Sequence, residues 1–214
     1  MIKGHRTTLY VTTILFLMGS SSTTGAPSNG EKGESAGRRR EQFCLLIEPK
    51  DGPQVIKPIP GSKLTGLVPG KETSVGVRYY SAREYAALSV TWETYLKRAE
   101  EAAARQLAKL TPAFVKDDKG FARYATIKGK SQLTASSVLA PGFRDLFKKS
   151  MGDELIVLLP DRFTVYVFPR TMGEYKELGR RVIAEYEAAV YPVSYEVFLV
   201  NRHGLSCLGS FQME

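Results

Sequence analysis

Residue types that bind metals or carry out catalysis are scarce in this chain, which has two cysteines and two histidines among its 214 residues. Zinc sites take several cysteine or histidine ligands at short spacings, whereas here the four residues are split between the two ends of the chain. The P-loop and the G-x-G-x-x-G dinucleotide fingerprint do not occur. The sequence therefore predicts no metal site, no cofactor and no catalytic residue.

Long hydrophobic runs are also missing, except for one of 11 residues near the start, at positions 9–19 (LYVTTILFLMG). A basic segment precedes this run, and small polar residues follow it up to Ala26. That order is typical of a secretory signal peptide, and Thr24 and Ala26 suit a cut after Ala26. Cleavage after Ala36 is the second choice. A retained anchor is the alternative, but spanning a bilayer takes about 20 apolar residues. We expect residues 1–26 to be removed and the protein to be periplasmic or secreted.

Basic residues outnumber acidic ones in the full chain and in the chain that remains after cleavage. Removing Lys3 and Arg6 with the signal lowers the 30 basic residues to 28, against 22 acidic ones, for a net charge of +6. Residues 27–41 are rich in Gly, Ser and Glu and include three consecutive arginines at 38–40, so they predict a flexible tether. The arginines are either simply solvated or contact anionic lipid or wall polymer. Nucleic acid is not expected as a partner.

The two cysteines, Cys44 and Cys207, both lie in apolar, strand-like runs. In an oxidising compartment they could form a disulfide joining the first strand of the domain to the last. The alternative is two separate buried thiols that pack as small hydrophobic groups.

The first half of the domain predicts short strands followed by helices. Strands are expected at 43–49, 54–60 and 74–80, with prolines keeping the second strand and its flanks at an edge or in loops. Ser81 and Glu84 form the pattern of a capping box, which predicts a short helix at 82–87. Thr91 can cap a second helix at 92–110, with Pro112 ending it. Apolar residues recur along that helix every three or four positions, at Trp92, Tyr95, Leu96, Ala99, Ala103, Leu107 and Leu110.

The second half predicts hairpins separated by helices. Extended segments are expected at 121–129 and 132–140, and a short helix at 142–150 with Phe143, Leu146 and Phe147 on its apolar side. The hairpin at 153–170 (DELIVLLPDRFTVYVFPR) is apolar on both faces, which is typical of strands covered on both sides, and Pro160-Asp161 predicts its turn.

A helix is expected after Thr171, which forms a second capping box with Glu174, and Pro192 ends it. The last hairpin turns at Gly204. Together these elements predict one α+β domain over residues 42–214, with a mainly antiparallel sheet and a long helix packed on it.

Four segments resemble the YtpQ-like proteins, a bacterial family of unknown function: 91–107 (TWETYLKRAEEAAARQL), 135–147 (ASSVLAPGFRDLF), 153–168 (DELIVLLPDRFTVYVF) and 191–200 (YPVSYEVFLV). The resemblance covers roughly residues 65–211 and is most specific from Ala135 to Phe168. It implies a fold and supplies no mechanism. Family members usually lack a secretion signal and often have an acidic residue after the hairpin arginine, where this chain has Phe163.

Arg162, at the tip of the apolar hairpin, has two interpretations. It is either a solvent-exposed tip residue or part of a weak anion-binding patch with Arg144, Lys148 and Lys149. His203 and Cys207 are the remaining candidates for catalysis, because their spacing would let them form a pair across a turn. A loop histidine near a core cysteine that do not act together is the commoner arrangement.

Two functions follow from these observations. The first is an exported, non-catalytic binding or accessory module that recognises a protein or an anionic component of the cell envelope. The second is a hydrolase of unfamiliar type, which would need a cleft containing acids of raised pKa near His203 or Arg162. The 22 acidic residues offer many pairs of carboxylates of the kind that some hydrolases use, and the sequence singles out none of them.

Overall fold

The computed structural model describes residues 42–52, 55–171 and 173–212. The predicted signal peptide and tether lie outside the described residues. Within them, helices pack on two antiparallel sheets, which confirms an α+β fold with mainly antiparallel pairing. No described helix has the length and apolar character that a bilayer crossing requires.

The smaller sheet has four strands and belongs to the first part of the domain. Strand β3 pairs with the other three, and the strands are β1 (Gln42–Pro49), β2 (Lys57–Pro58), β3 (Thr65–Thr73) and β4 (Gly76–Tyr79). The predicted strand at 54–60 is thus reduced to two paired residues. β3 was not predicted, because Pro69 and two glycines argue against a strand at this place.

The position of Pro69 explains how β3 tolerates a proline. Its carbonyl accepts a hydrogen bond from Tyr80 N at 3.3 Å. The carbonyl and the nitrogen of Pro69 therefore point away from β1 and toward the side on which β4 lies. β2 pairs with residues 66–67 of β3 and β4 with residues 70–73, so Pro69 falls between these two partners. The missing N–H therefore interrupts no ladder bond to β1.

Two capped helices follow the small sheet, as predicted. Helix α1 (Ala82–Ala87) begins with the complete capping box of Ser81 and Glu84. Thr91 caps α2 (Trp92–Leu107), which ends three residues earlier than expected. Tyr95 is the first residue of the buried stripe of α2 and is fully buried. Its hydroxyl lies 2.8 Å from Cys44 O and 2.7 Å from Gly70 O, which joins α2 to both β1 and β3.

The larger sheet has six strands in the order β10-β9-β7-β8-β6-β5. Its strands are β5 (Ala113–Lys116), β6 (Ala122–Lys128), β7 (Leu155–Asp161), β8 (Thr164–Pro169), β9 (Glu196–Asn201) and β10 (Gly204–Ser210). The predicted hairpin β7–β8 lies at its centre and is buried on both faces. One face packs against the small sheet, α2 and α3 (Phe143–Met151), and the other against α4 (Gly179–Ala188).

The turn of the central hairpin differs from the prediction. Asp161 pairs with Thr164, so Arg162 and Phe163 form the turn and Pro160 belongs to β7. The register shifts between Leu158 and Asp161, an irregularity that accommodates a proline in a central strand. The Pro160 carbonyl accepts a hydrogen bond from Val193 N at 3.1 Å, which holds the segment before β9 against the hairpin.

Residues 132–140 do not form the expected strand. They include a 3₁₀ helix, Ala135–Leu139. Local side chain–backbone hydrogen bonds favour this conformation: Thr134 Oγ1 donates to Ser131 O and Ser137 Oγ donates to Thr134 O, each at 2.7 Å. Short hydroxyl side chains compete with strand pairing in this way.

The two later helices also differ in detail from the prediction. On α3 the buried residues are Phe143, Phe147 and Met151, whereas Leu146 is 43% exposed. Helix α4 begins at Gly179 with Leu178 at the N-cap, and a 3₁₀ helix (Gly173–Lys176) precedes it in place of a single helix from Thr171. The last hairpin turns as predicted, with Gly204 at φ 96°.

Candidate functional site

Arg162 is not an exposed tip residue, because it is only 7% exposed. Its Nε donates to Glu48 Oε1 at 2.7 Å, Nη1 donates to Gln132 Oε1 at 3.2 Å, and Nη2 donates to the hydroxyl of Tyr79. Glu48 is the second-last residue of β1, Tyr79 is the last residue of β4, and Gln132 follows β6. One guanidinium therefore connects the small sheet to the central hairpin of the large sheet.

Two aromatic rings complete the surroundings of Arg162. The guanidinium carbon lies 4.8 Å from the ring centre of Tyr191 and 5.5 Å from that of Tyr79. Burial raises the pKa of the Glu48 carboxyl, and the hydrogen bond and charge of Arg162 oppose that shift. Burial and the charge of Glu48 raise the pKa of Tyr79 to about 12. The cluster is thus a desolvated Arg–Glu–Tyr group that is largely closed to solvent.

The other three residues of the predicted anion-binding patch lie on α3. Lys148 forms an ion pair with Asp153 at 3.0 Å. At 100° per residue, Arg144 and Lys148 lie about 40° apart around α3, and Lys149 lies about 100° beyond Lys148. Because Arg162 is engaged by Glu48, a patch of all four residues would require that pair to open. Anion binding here stays a prediction.

The two cysteines do not form a disulfide but are separate free thiols. Cys44 is buried, as in the alternative interpretation, whereas Cys207 is only partly buried. Cys44 belongs to the small sheet and packs with Leu46, Ala102 and Leu133. Cys207 belongs to β10, at one edge of the large sheet. Burial raises the pKa of Cys44 to about 12 and that of Cys207 to about 11, so both remain protonated near neutral pH.

A groove of about 670 Å³ lies along the outer side of β10. We call it the terminal groove. Three separate segments line it: Gly61, Lys63 and Leu64; Tyr195 and Glu196; and residues 207–212. Ligand pockets commonly have volumes of about 300–1,000 Å³, so the size is suitable for a peptide or a small molecule. Sequence reasoning missed this groove, because nothing in the sequence shows that these three segments meet.

Glu196 forms the polar floor of the terminal groove and is 2% exposed. Its Oε1 accepts from the amides of Lys63 (2.9 Å) and Leu64 (3.2 Å), and its Oε2 lies 2.6 Å from the hydroxyl of Ser62. Burial raises the pKa of this carboxyl, but the hydrogen bonds outweigh burial and leave the pKa below its ordinary value. An ionised Glu196 therefore holds the 62–64 loop against β9.

The His203–Cys207 pair that the spacing allows has no support in the contacts of these residues. The backbone N–H of His203 donates to Asn201 Oδ1, and its Nε2 accepts from Arg202 at 3.0 Å. Cys207 Sγ donates to the carbonyl of Gly209 at 3.3 Å. His203 is exposed in the β9–β10 turn and does not line the terminal groove.

Phe211 lines both the terminal groove and a second cavity of about 370 Å³ beside α4. Its ring lies directly on Gly179, where a β-carbon would come within 2.8 Å of Phe211 Cδ1. The amide of Phe211 donates to Tyr195 O at 3.1 Å. These contacts fix Phe211 at the junction of the two spaces.

Comparison of the chain with protein-family models, curated proteins and solved structures finds no match. The resemblance to the YtpQ-like family therefore stays a prediction. Among the residues that the structure describes, no three His, Cys, Asp or Glu side chains are placed to hold a metal ion together. The string GESAG at 33–37 fits the G-x-S-x-G pattern of hydrolases but lies outside the described residues, and that pattern requires a strand-to-helix turn.

Replacing Arg162 with methionine should strongly destabilise the protein, because it leaves the Glu48 carboxyl buried without a cation. We expect a loss of about 3–5 kcal/mol in the free energy of unfolding, measured by denaturant titration. Arg170→Met is the matched control, since its pair with Glu154 is about half exposed and should contribute less than about 1 kcal/mol. Adding Glu48→Gln to Arg162→Met should recover part of the loss. Equal losses from both arginine variants would contradict the assignment.

Glu196→Gln should destabilise the protein by about 1–3 kcal/mol at neutral pH, because an amide cannot accept as many hydrogen bonds as a carboxylate. The folded pKa of Glu196 lies below its unfolded value, so its contribution is present above that unfolded value and is lost as the pH falls through the folded one. The difference in the free energy of unfolding between wild type and Glu196→Gln should therefore become smaller as the pH is lowered. Glu187→Gln, on the exposed side of α4, should change little. A gap that stays constant with pH would rule out this account.

Proposed function

We propose that this chain is an exported, non-catalytic binding or accessory module of the cell envelope, with the terminal groove as its ligand site. The observation that carries this proposal is that the carboxyl and the thiol of the groove, Glu196 and Cys207, already have partners. Glu196 accepts from two backbone amides and lies within hydrogen-bond distance of the Ser62 hydroxyl, and the Cys207 thiol donates to Gly209 O. Neither group is free to act as a general base or nucleophile.

The thiol illustrates why binding is favoured over catalysis. A catalytic cysteine needs a lowered pKa, usually from a nearby cation. Burial instead raises the pKa of Cys207 to about 11, and the Glu196 carboxylate adds to the shift. Less than about one thiol in a thousand would be ionised at neutral pH.

The ligand that suits the groove is a peptide or protein segment with apolar side chains. Leu208 is 51% exposed and Leu64 38% exposed, and both line the groove with Phe211. Cys207 N donates to Pro60 O at 2.8 Å, so the segment that contains Pro60 covers the first part of the outer edge of β10. The register then shifts between Cys207 and Gly209, so Leu208 projects where that cover ends. Apolar contacts would supply affinity, and backbone groups of the edge would fix orientation.

The hydrolase alternative has one observation in its favour. Glu48 is an acid of raised pKa next to Arg162, as that function requires. However, Glu48 is only 5% exposed and its carboxylate binds Arg162. It does not line the terminal groove or the cavity beside α4. The pair therefore supports a structural role better than a catalytic one.

Peptides selected from a random display library against the purified protein should bind the terminal groove. Leu208→Glu should weaken their binding at least tenfold, because it places a charge among apolar groups. Val75→Glu is the matched control, since Val75 is 93% exposed on the β3–β4 turn and lies outside the groove. His203→Ala should also leave binding unchanged. Selected peptides that bind Leu208→Glu as tightly as wild type would refute the groove as the site.

The intact mass of the protein recovered from expressing cells tests export and the state of the thiols together. We expect a chain beginning at Pro27 and carrying two alkyl groups after alkylation in denaturant without reductant. The free thiols of Cys44 and Cys207 are the physical reason for the second expectation. A full-length mass would contradict export, and alkylation only after reduction would contradict free thiols.

A further inference from the structure

The edge of the large sheet opposite the terminal groove exposes apolar side chains. All four residues of the edge strand β5 are exposed, with Phe114 at 39% and Val115 at 38%. Phe121, in the β5–β6 turn, is 64% exposed. These three side chains, with Lys116 and Lys119, form what we call the hairpin patch. Large apolar groups concentrated at one edge indicate an interaction surface.

The apolar groups of the hairpin patch point in different directions. Phe114 and Val115 are consecutive in a strand, so they project from opposite faces of the sheet. Phe114 contacts Phe147 of α3, with ring centres 6.0 Å apart. Phe121 follows Gly120, which has φ 84°, at the end of the hairpin. A flat protein partner would cover one face of this edge, whereas a lipid interface can surround it.

The turn that carries Phe121 is held in place before any partner binds. Asp117 Oδ1 accepts from the amides of Lys119 (2.9 Å) and Phe121 (2.8 Å). The amide of Asp117 donates to Phe121 O, also at 2.9 Å. An ordered turn presents its aromatic side chain at little entropic cost.

Cations accompany these apolar groups. Lys116 and Lys119 are exposed on the hairpin, and Lys149 is exposed on the adjacent α3. None of the three forms an ion pair with a described acid. Asp117 is engaged by the turn, which leaves Asp118 as the exposed acid of the turn. The charge balance favours an anionic partner.

We propose that the hairpin patch docks on the surface of a bilayer that contains anionic lipids. Phenylalanine side chains of interfacial segments bury at the boundary between headgroups and acyl chains, and lysines near an anionic surface each strengthen binding about fivefold. The depth is limited to the interface, because β5 is an edge strand whose outer backbone groups would be costly to bury in hydrocarbon.

Co-sedimentation with vesicles tests the proposal. The probes are vesicles of equal parts phosphatidylglycerol and phosphatidylcholine, and vesicles of phosphatidylcholine alone. Arginines 38–40 are replaced by serine in all proteins, so that attraction through that segment does not contribute. We expect binding to the anionic vesicles that weakens with salt and falls at least tenfold in Phe121→Ser. Phe121→Trp should retain binding, and Val75→Ser, an equally polar change at an exposed site elsewhere, should have no effect.

The charge of the turn offers a test in the opposite direction. Asp118→Asn should strengthen binding to the anionic vesicles by a few fold, and Lys119→Gln should weaken it by a similar factor. Equal binding of Phe121→Ser and Val75→Ser, or binding independent of anionic lipid, would overturn the proposal. Loss of a concentration-dependent dimer in Phe121→Ser, seen by analytical ultracentrifugation without vesicles, would also overturn it and assign the edge to a second copy. The assay needs no ligand in the terminal groove, so either proposal can fail alone.

Discussion

The ion pair between Arg162 and Glu48 is the interaction on which the arrangement of the two sheets depends. Both side chains are less than one-tenth exposed, and their contact at 2.7 Å joins the tip of the central hairpin to the end of β1. Removing two charges from water costs several kcal/mol, so such a pair persists only with good geometry and further hydrogen bonds. Gln132 and Tyr79 supply those bonds, and Tyr191 packs on the guanidinium. The backbone of Arg162 adds contacts to Ala135 and Tyr191.

The role of Arg162 shows where sequence reasoning stops. A hairpin tip is usually exposed, and the residues around Arg162 give no local sign that another sheet covers it. The sequence contains one weak indication that Glu48 is buried, because this carboxylate directly follows the four apolar residues 44–47 of β1. Its partner is 114 positions away in the chain, and no local pattern reports such a distance.

The elements that were predicted correctly are those whose cause is local. The capping box at Ser81, the cap at Thr91 and the left-handed glycine at 204 each act within a few residues. Strand β3 was missed for the opposite reason, because tertiary pairing overrides the local effect of Pro69. The 3₁₀ helix at 135–139 was missed although its cause is local, because hydroxyl side chains bend a run of residues whose composition resembles a strand.

The two edges of the large sheet expose different groups. At β10 the loop at 59–64 partly covers the strand, and an ionised Glu196 holds that loop beside an apolar groove. At β5 the strand is uncovered, with aromatic groups and lysines in place of a groove. The buried hairpin β7–β8 separates the edges, so each can contact its own partner.

Native-state hydrogen exchange of Arg162→Met tests the central claim most directly. If Arg162 holds the small sheet in place, amides of β1 and β3 will lose more protection than those of β7 and β8, because the small sheet will open without unfolding of the large one. An equal loss of protection in both sheets, or no loss in either, would contradict the claim that this single pair joins them.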